Sequence, residues 1–205
     1  MGKGTQALRL RLELKVPHVS TGDILREAVK RGTPLGRRAG SFMEAGKLVP
    51  DDLMGDLIAA RLAQPDAAPG FILDGFPRTA AQVAILDRVL ESVGEPLDRV
   101  LALVAAEKEI VRRLSGRRIC PACGSVFHVE SRPSASPGAC DGCGTALVQR
   151  PDDEEKVIRD RLGVFEAQTL PVAAIYRERG LLREVDAAGD SDAVFAALKI
   201  ALATP

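Results

Sequence analysis

Four cysteines stand in two close pairs, Cys120-Pro-Ala-Cys123-Gly and Cys140-Asp-Gly-Cys143-Gly, with sixteen residues between the pairs. Two such pairs supply four thiolates at the spacing of a tetrahedral Zn²⁺ site. Gly124 and Gly144 close the pairs and leave the backbone free to turn tightly around a metal. With no acid–base group beside the cysteines, the zinc expected here is structural. The segment between the pairs is rich in Ser, Pro and Gly and reads as β-ribbon and turns, so the metal is expected to supply much of its folding free energy.

The other chemistry lies in the arginines. They make up 21 of the 28 basic residues, and a guanidinium offers a planar fork suited to phosphate. A general compositional bias, shared with the high alanine content, would produce the same excess. Position says more. The run Phe71-Ile72-Leu73-Asp74-Gly75-Phe76-Pro77-Arg78-Thr79 is a short apolar strand entering a tight turn. It puts the Asp74 carboxylate at the strand's carboxyl end, where open α/β sheets bind ligands, and Arg78 just beyond. Gly75 permits the turn, Pro77 fixes it, and Thr79 with Gln82 reads as a capping box. The plain alternative is an ordinary strand–turn–helix with surface charges. Gly2-Lys3-Gly4-Thr5-Gln6-Ala7 has the look of the end of a phosphate-binding loop, with Lys3 reaching toward terminal phosphates. Arg112, Arg113, Arg117 and Arg118 fall within seven residues. They need an anion among them, either a nucleoside triphosphate or the acidic pair Asp152-Asp153, unless they form a solvated helix end.

The elements that must position these groups alternate between strand and helix. The pattern predicts a helix from Thr5 to Lys15 with Leu8 and Leu12 buried and Leu10 and Leu14 as further candidates, then a strand from Val16 to Ser20. Ser20 to Asp23 caps a helix to Lys30 that carries Arg26, and Pro34 opens a helix stopped by Gly46. Lys47-Leu48-Val49 is extended, and Asp51 caps a helix to Gln64. After Thr79 come a helix to Ser92, a strand Arg99–Val104 and a helix Glu107–Ser115. Beyond the ribbon, Asp153 caps a long helix broken near Pro171, followed by a strand Leu181–Val185 and a helix Ser191–Ala203. Such alternation gives a parallel sheet with helices on both faces, interrupted by the ribbon.

Composition narrows the class. Hydrophobic residues are 46% and aromatics 3%, so a single aliphatic core is expected. The net charge of zero argues against a non-specific nucleic-acid binder or a polybasic membrane surface. No apolar run approaches the ~18 residues of a membrane span, and no signal peptide is visible. Paired cysteines that read as metal ligands fit a reducing compartment, which places the chain in the cytoplasm.

Taken in order, Gly2-Lys-Gly-Thr-Gln-Ala7, Ser20-Thr-Gly-Asp-Ile-Leu-Arg26, Asp74-Gly-Phe-Pro-Arg78 and Gly116-Arg-Arg118 resemble the adenylate kinases, and the four-cysteine ribbon resembles the zinc-bearing lid of many bacterial members. That resemblance implies a P-loop nucleoside monophosphate kinase fold. The core would be residues 1–19, 50–115 and 154–205, the AMP-binding lobe 20–49 and the zinc-ribbon lid 116–153. It implies reversible phosphoryl transfer from MgATP to AMP, giving two ADP, by a monomer with no nucleic-acid or membrane partner. Gly2, Lys3, Gly4 and Thr5 would hold the ATP phosphates, joined by Arg117 and the lid residues Val126 and Phe127. Arg113 and the backbone near Gly189 would meet the adenine, where Ala187 replaces the family's usual Gly. Thr21, Arg26, Lys47, Leu48, Val49, Gly75, Phe76, Pro77, Arg78 and Gln82 would bind AMP. Arg150 and Arg161 would close on the transferring group, and Asp74 would orient Mg²⁺ through water. Lys3, Arg78, Arg117, Arg150 and Arg161 would then be the catalytic set.

Three other readings compete. A UMP or CMP kinase would tend to carry Ala at Thr21 and a short lid without cysteines. A zinc-ribbon nucleic-acid module would want a basic surface and stacking aromatics, whereas the ribbon has Phe127 and His128 alone. A non-catalytic nucleotide-binding remnant is the third. In the family an apolar strand and the first loop glycines precede the Gly-Lys pair. A chain starting at Met1 is thus expected to leave the strands near Phe71–Asp74 and Arg99–Val104 with unpaired edges. Losing that strand would remove roughly 8–15 kcal/mol of burial, so a longer form is expected to be the active one.

Overall fold

The computed structural model describes residues 2–204; Met1 and Pro205 lie outside the described residues. The elements run α1 (Lys3–Leu14), β1 (His18–Ser20), α2 (Thr21–Lys30), α3 (Pro34–Glu44), α4 (Asp51–Leu62), β2 (Ile72–Asp74), α5 (Ala80–Val93), β3 (Val100–Val104) and α6 (Glu107–Ser115). The ribbon contributes β4 (Arg117–Ile119) and β5 (Val126–His128), and the chain ends with α7 (Glu155–Val164), α8 (Leu170–Glu178), β6 (Leu182–Asp186) and α9 (Ser191–Ala203).

Strand direction follows the expected α/β pattern, but the hydrogen bonding is divided. Among the described residues β1 pairs with β2, His18 opposite Ile72 and Ser20 opposite Asp74, and β3 pairs with β6, Val100 opposite Leu182. Both pairs are parallel, and each of the four strands keeps one unpaired edge. The β3 run Val-Leu-Ala-Leu-Val is accordingly only half-buried, with Val104 exposed. Three cores hold the layers together. Val19, Ile58, Leu86 and their neighbours pack between β1–β2 and helices α2 to α5. Val83, Val172, Tyr176 and Leu182 join α5 and α8 to β6, while Val185, Val194 and Leu198 seat α9.

Local chemistry sets several boundaries. Thr33 caps α3 by accepting from Gly36 N, with Pro34 at the first helical position. α3 ends in a Schellman turn, Lys47 N bonding to Phe42 O and Gly46 N to Met43 O. The long carboxyl-terminal helix is broken as expected near Pro171, by a π-helical turn over Phe165–Thr169.

Three expectations are corrected. In α1 the buried face is Gln6, Ala7 and the candidate Leu10, while Leu8, Leu12 and Leu14 are exposed. The helix leans on α9, where Gln6 Nε2 donates to Ser191 O at 2.9 Å, and this turns Leu8 and Leu12 outward. Asp51 does not cap α4, whose cap position is Pro50. Its carboxylate accepts instead from Thr79 Oγ1 (3.2 Å) and Gln82 Nε2 (2.7 Å), tying the starts of α4 and α5 together. Asp153 likewise caps nothing, because Arg117 takes its carboxylate.

Candidate active site and metal centre

The turn after β2 is built around Asp74 and Gly75. Gly75 has φ +90°, and a Cβ there would stand 2.8 Å from Thr21 Oγ1 and 2.9 Å from an Arg78 nitrogen, so only glycine fits. Thr21, itself buried, donates to Asp74 O at 3.2 Å. Phe76 enters the core, and the Phe76–Pro77 peptide is cis. Gln82 completes a variant of the capping box: its N–H bonds to Thr79 Oγ1, and its Oε1 accepts from Arg78 N at 2.7 Å. Both polar ends of the buried Gln82 amide are therefore engaged within the protein, and its contribution here is to order the turn.

Asp74 Oδ1 faces Lys3 Nζ at 3.0 Å, and Oδ2 faces His18 Nε2 at 3.3 Å. Burial raises the affinity of the Asp74 carboxyl for a proton. The His18 hydrogen bond and the Lys3 charge outweigh that and hold it far below the usual carboxylate range. Oδ1 is buried and makes no well-directed hydrogen bond. An ionised carboxylate with one underused oxygen beside a lysine suits the hydration shell of a phosphate-bound Mg²⁺.

Beside this turn lies an open cleft. Thr21, Arg26, Lys47, Leu48, Val49, Gly75, Arg78, Gln82 and Arg161 all line it. The arginines converge without a full set of counter-charges. Burial first, then the charges of Arg161 and Arg26, disfavour the charge on Arg78. Burial and the charges of Arg26 and Arg117 act likewise on Arg150, whose buried Nε has no hydrogen-bond partner among the described residues. Arg161 is held by Asp152, through its carbonyl at 3.0 Å and its carboxylate at 3.2 Å, and Arg26 by Asp23. Such a cluster stabilises an anion placed among its members.

Three of the four arginines in the run are paired with carboxylates, and Arg118 donates to the carbonyls of Ser115 and Arg117. Arg117 Nε meets Asp153 Oδ2 at 2.8 Å, so the expected acidic pair does supply one partner. Arg112 pairs with Glu109 and Glu130, and Arg113 with Glu109, which sequence reasoning did not identify. Arg113 also donates to the carbonyls of Ala187 (2.7 Å), Ala188 (3.1 Å) and Gly189 (3.3 Å), bringing together the two places expected to meet adenine. Val126 is exposed on the ribbon, but the Phe127 side chain packs inside it with Cys120 and Cys140.

The cysteines converge as their spacing requires. All four Sγ atoms lie within 4.8 Å of one another, with Cys120–Cys143 at 3.4 Å, Cys123–Cys140 at 3.5 Å and Cys123–Cys143 at 3.8 Å. A tetrahedral ion with bonds of about 2.3 Å needs sulfurs roughly 3.8 Å apart, so the cage fits zinc. Hydrogen bonding to Ser125 draws the Cys123 thiol down to about 6, while burial pushes Cys140 up to about 11.

His18 escaped the sequence reading, while His128 and Asp51 were named there in other roles. His18 touches Asp74, and a readable signal existed, since it lies two residues before Ser20 on a strand bound for the same sheet edge. His128 accepts from Glu130 N and Ser131 N through Nδ1 and reaches Arg112 O through Nε2. Asp51 accepts from Gln82 Nε2.

The comparisons with known proteins agree with this geometry. A sequence model of the adenylate kinase family matches residues 1–181. The chain is 50% identical over 201 residues to adenylate kinase of Moorella thermoacetica, covering 98% of this chain and 93% of that protein. Adenylate kinase of Methanocella arvoryzae is 50% identical over the same shares. That of Geobacter sp. strain M21 is 48% identical over 194 residues, 95% of this chain and 91% of its own. Fold, cysteine cage, arginine cleft and kinship point the same way, and the chain belongs to the adenylate kinase family.

Proposed function

We propose that the chain transfers the terminal phosphate of MgATP reversibly to AMP, giving two ADP. It is an ATP:AMP phosphotransferase in which positioning and charge neutralisation, rather than a covalent intermediate, carry the chemistry. The observation that carries this reading is the convergence of Arg26, Arg78, Arg150 and Arg161 beside the Asp74–Lys3 pair. A phosphoryl group in flight spreads negative charge over its oxygens, and a fixed guanidinium cluster lowers that barrier without reorganising. Thr21, Lys47, Leu48, Val49, Gly75, Phe76 and Pro77 shape the AMP side, with Gln82 holding the turn that aims Arg78. Lys3 exchanges its contact with Asp74 for the ATP phosphates, and Gly2, Gly4 and Thr5 line their approach. Arg113 and Gly189 frame the adenine.

Magnesium, when bound, neutralises the ATP phosphates, and Asp74 holds its hydration shell. Cys120, Cys123, Cys140 and Cys143 hold a structural Zn²⁺ that folds the lid, residues 116–153. The lid and the AMP lobe, residues 20–49, close on the core and exclude the water that would otherwise hydrolyse ATP. The enzyme acts as a cytoplasmic monomer. A coupled assay comparing AMP, GMP, UMP and CMP at equal concentration tests the assignment: strong preference for AMP is expected, and equal turnover of UMP overturns it.

A further inference from the structure

Among the described residues, Gln82 carries the only side-chain amide on the wall of the cleft. Leu25, Met43, Val49 and Met54 line the same cleft and offer the apolar surface that a flat ring needs. An amide is nearly symmetric in shape, so its two ends can exchange places unless the neighbours distinguish them. Here both neighbours do. The Arg78 backbone N–H can only donate, and it meets Gln82 Oε1 at 2.7 Å. The ionised Asp51 carboxylate can only accept, and its Oδ1 takes Gln82 Nε2 at 2.7 Å.

Asp51 is itself held through its second oxygen. Thr79 Oγ1 already accepts from Gln82 N at 3.1 Å, so its own proton goes to Asp51 Oδ2 at 3.2 Å. The carboxylate that opens α4 is thus gripped by the cap of α5 and by the amide in the first turn of that helix. Each end of the Gln82 amide then has one valence spent and one left, a second N–H on Nε2 and a second lone pair on Oε1. In that order they match an edge that sets an amine beside a ring acceptor, as adenine does. A 6-oxo purine puts a carbonyl where the amine was, and only a turned-over amide would meet it.

We propose that Asp51 determines base specificity at the acceptor site: by fixing which end of the Gln82 amide donates, it selects a 6-amino purine over a 6-oxo purine. The proposal rests on reading the cleft as the AMP side of an ATP:AMP phosphotransferase. Asp51 acts through Gln82 and is a positioning residue, because protein groups take both of its oxygens.

AMP and IMP share ribose and phosphate and differ at this edge alone, so the ratio of their affinities isolates it. Calorimetric titration of the full chain should give a Kd for IMP roughly ten- to a hundredfold above that for AMP, the discrimination of one two-pronged base contact. In Asp51→Asn the neighbouring group can accept or donate, and the Gln82 amide is free to turn. The ratio should narrow roughly five- to tenfold there, the effect of losing one charge-assisted hydrogen bond. The ratio of kcat/KM for the two nucleotides should narrow with it, and Asp51→Ala should behave in the same way. A structural role would weaken AMP and IMP by one common factor. An unchanged ratio in both variants therefore overturns the proposal, as does a wild-type ratio near one. Should the variants fail to fold, neutron diffraction from deuterated wild-type crystals decides: two deuterons on the Gln82 atom facing Asp51 are expected, and an amide oxygen facing a protonated Asp51 overturns the proposal. Turnover tests the functional reading separately. A ratio that depends on Asp51 in a protein that transfers no phosphate to AMP supports the specificity role and refutes the kinase reading, whereas a folded wild type that binds neither nucleotide overturns both.

Discussion

Replacing Asp153 by Asn puts the base of the cysteine ribbon to the test. Asp153 has no exposed surface and accepts Arg117 Nε at 2.8 Å, whereas the Arg117 side chain is 24% exposed. Opposite charges about 4 Å apart attract by roughly 4 kcal/mol at an effective dielectric near 20. The exposed part of the guanidinium brings screening, which reduces the expected contribution to about 2–3 kcal/mol. Asn keeps the shape of the side chain but leaves Arg117 facing a neutral amide. A segment can open locally at less than the global unfolding free energy, so the measurement must be local. Native-state hydrogen exchange at Arg117–Ile119 and at residues 149–153 provides it. A double-mutant cycle with Arg117→Met is expected to return a coupling of about 1.5–3 kcal/mol. A coupling below about 0.5 kcal/mol would show that solvent already satisfies Arg117, and the reasoning would fail.

Other outcomes follow from the same geometry. Arg78→Ala should lower kcat/KM roughly 10²- to 10³-fold, as expected for one lost transition-state donor, while the melting temperature moves little; near-normal turnover would remove Arg78 from the site. Joint Cys120→Ser and Cys140→Ser substitution should abolish zinc binding and speed exchange throughout the lid while the core transition persists, and retained stoichiometric zinc contradicts the cage. Asp74 has its folded pKa depressed, so its stabilising contribution is present above its unfolded value near 4 and is lost as pH falls through that value toward the folded one. The stability gap between wild type and Asp74→Asn in urea titrations should therefore narrow below about pH 4, and a gap independent of pH from 3 to 7 counts against it. Tyr176 Oη is buried without a hydrogen-bond partner among the described residues, so Tyr176→Phe should be neutral or stabilising by about 1 kcal/mol; a clear loss would reveal a partner.

The sequence was most legible where one residue type answers one need. Gly75 is the only residue tolerated at its φ and its 2.8 Å approach to Thr21, and the cysteine spacing left the cage few alternatives. Thr33 and Pro34 announced α3 in the same way. Long-range pairing of charge was less legible. Asp51 read as a helix cap because Asp serves there often, yet Thr79 and Gln82, far along the chain, claim it. Asp153 had the same local signature and is taken by Arg117. Leu8 and Leu12 fit an inward stripe equally well as Leu10, and only the docking of α1 on α9 decides between them. Local pattern fixes which groups exist, whereas the partner of each carboxylate depends on how distant elements dock.

The lid closes almost all its backbone bonds upon itself. β4 pairs with β5, Ile119 bridges to Val148, and Ala139 to Ala146. At its base His128 reaches the last turn of α6, Arg112 meets Glu130, Gln149 Nε2 donates to Ser115 O, Arg161 holds Asp152, and Arg117 closes on Asp153. Gly116 sits under His128, where a Cβ would come within 2.4 Å of Nε2. The ribbon is thus a cassette plugged into a fixed socket. A substitute of different length, with or without a metal, would be accepted if it reproduced the plug, and a perfect copy of the cage would not function with Gly116 or Asp153 altered. Grafting experiments on this enzyme should therefore place their cut points outside Arg112 and Asp153, because the compatibility of a new lid is decided at the socket.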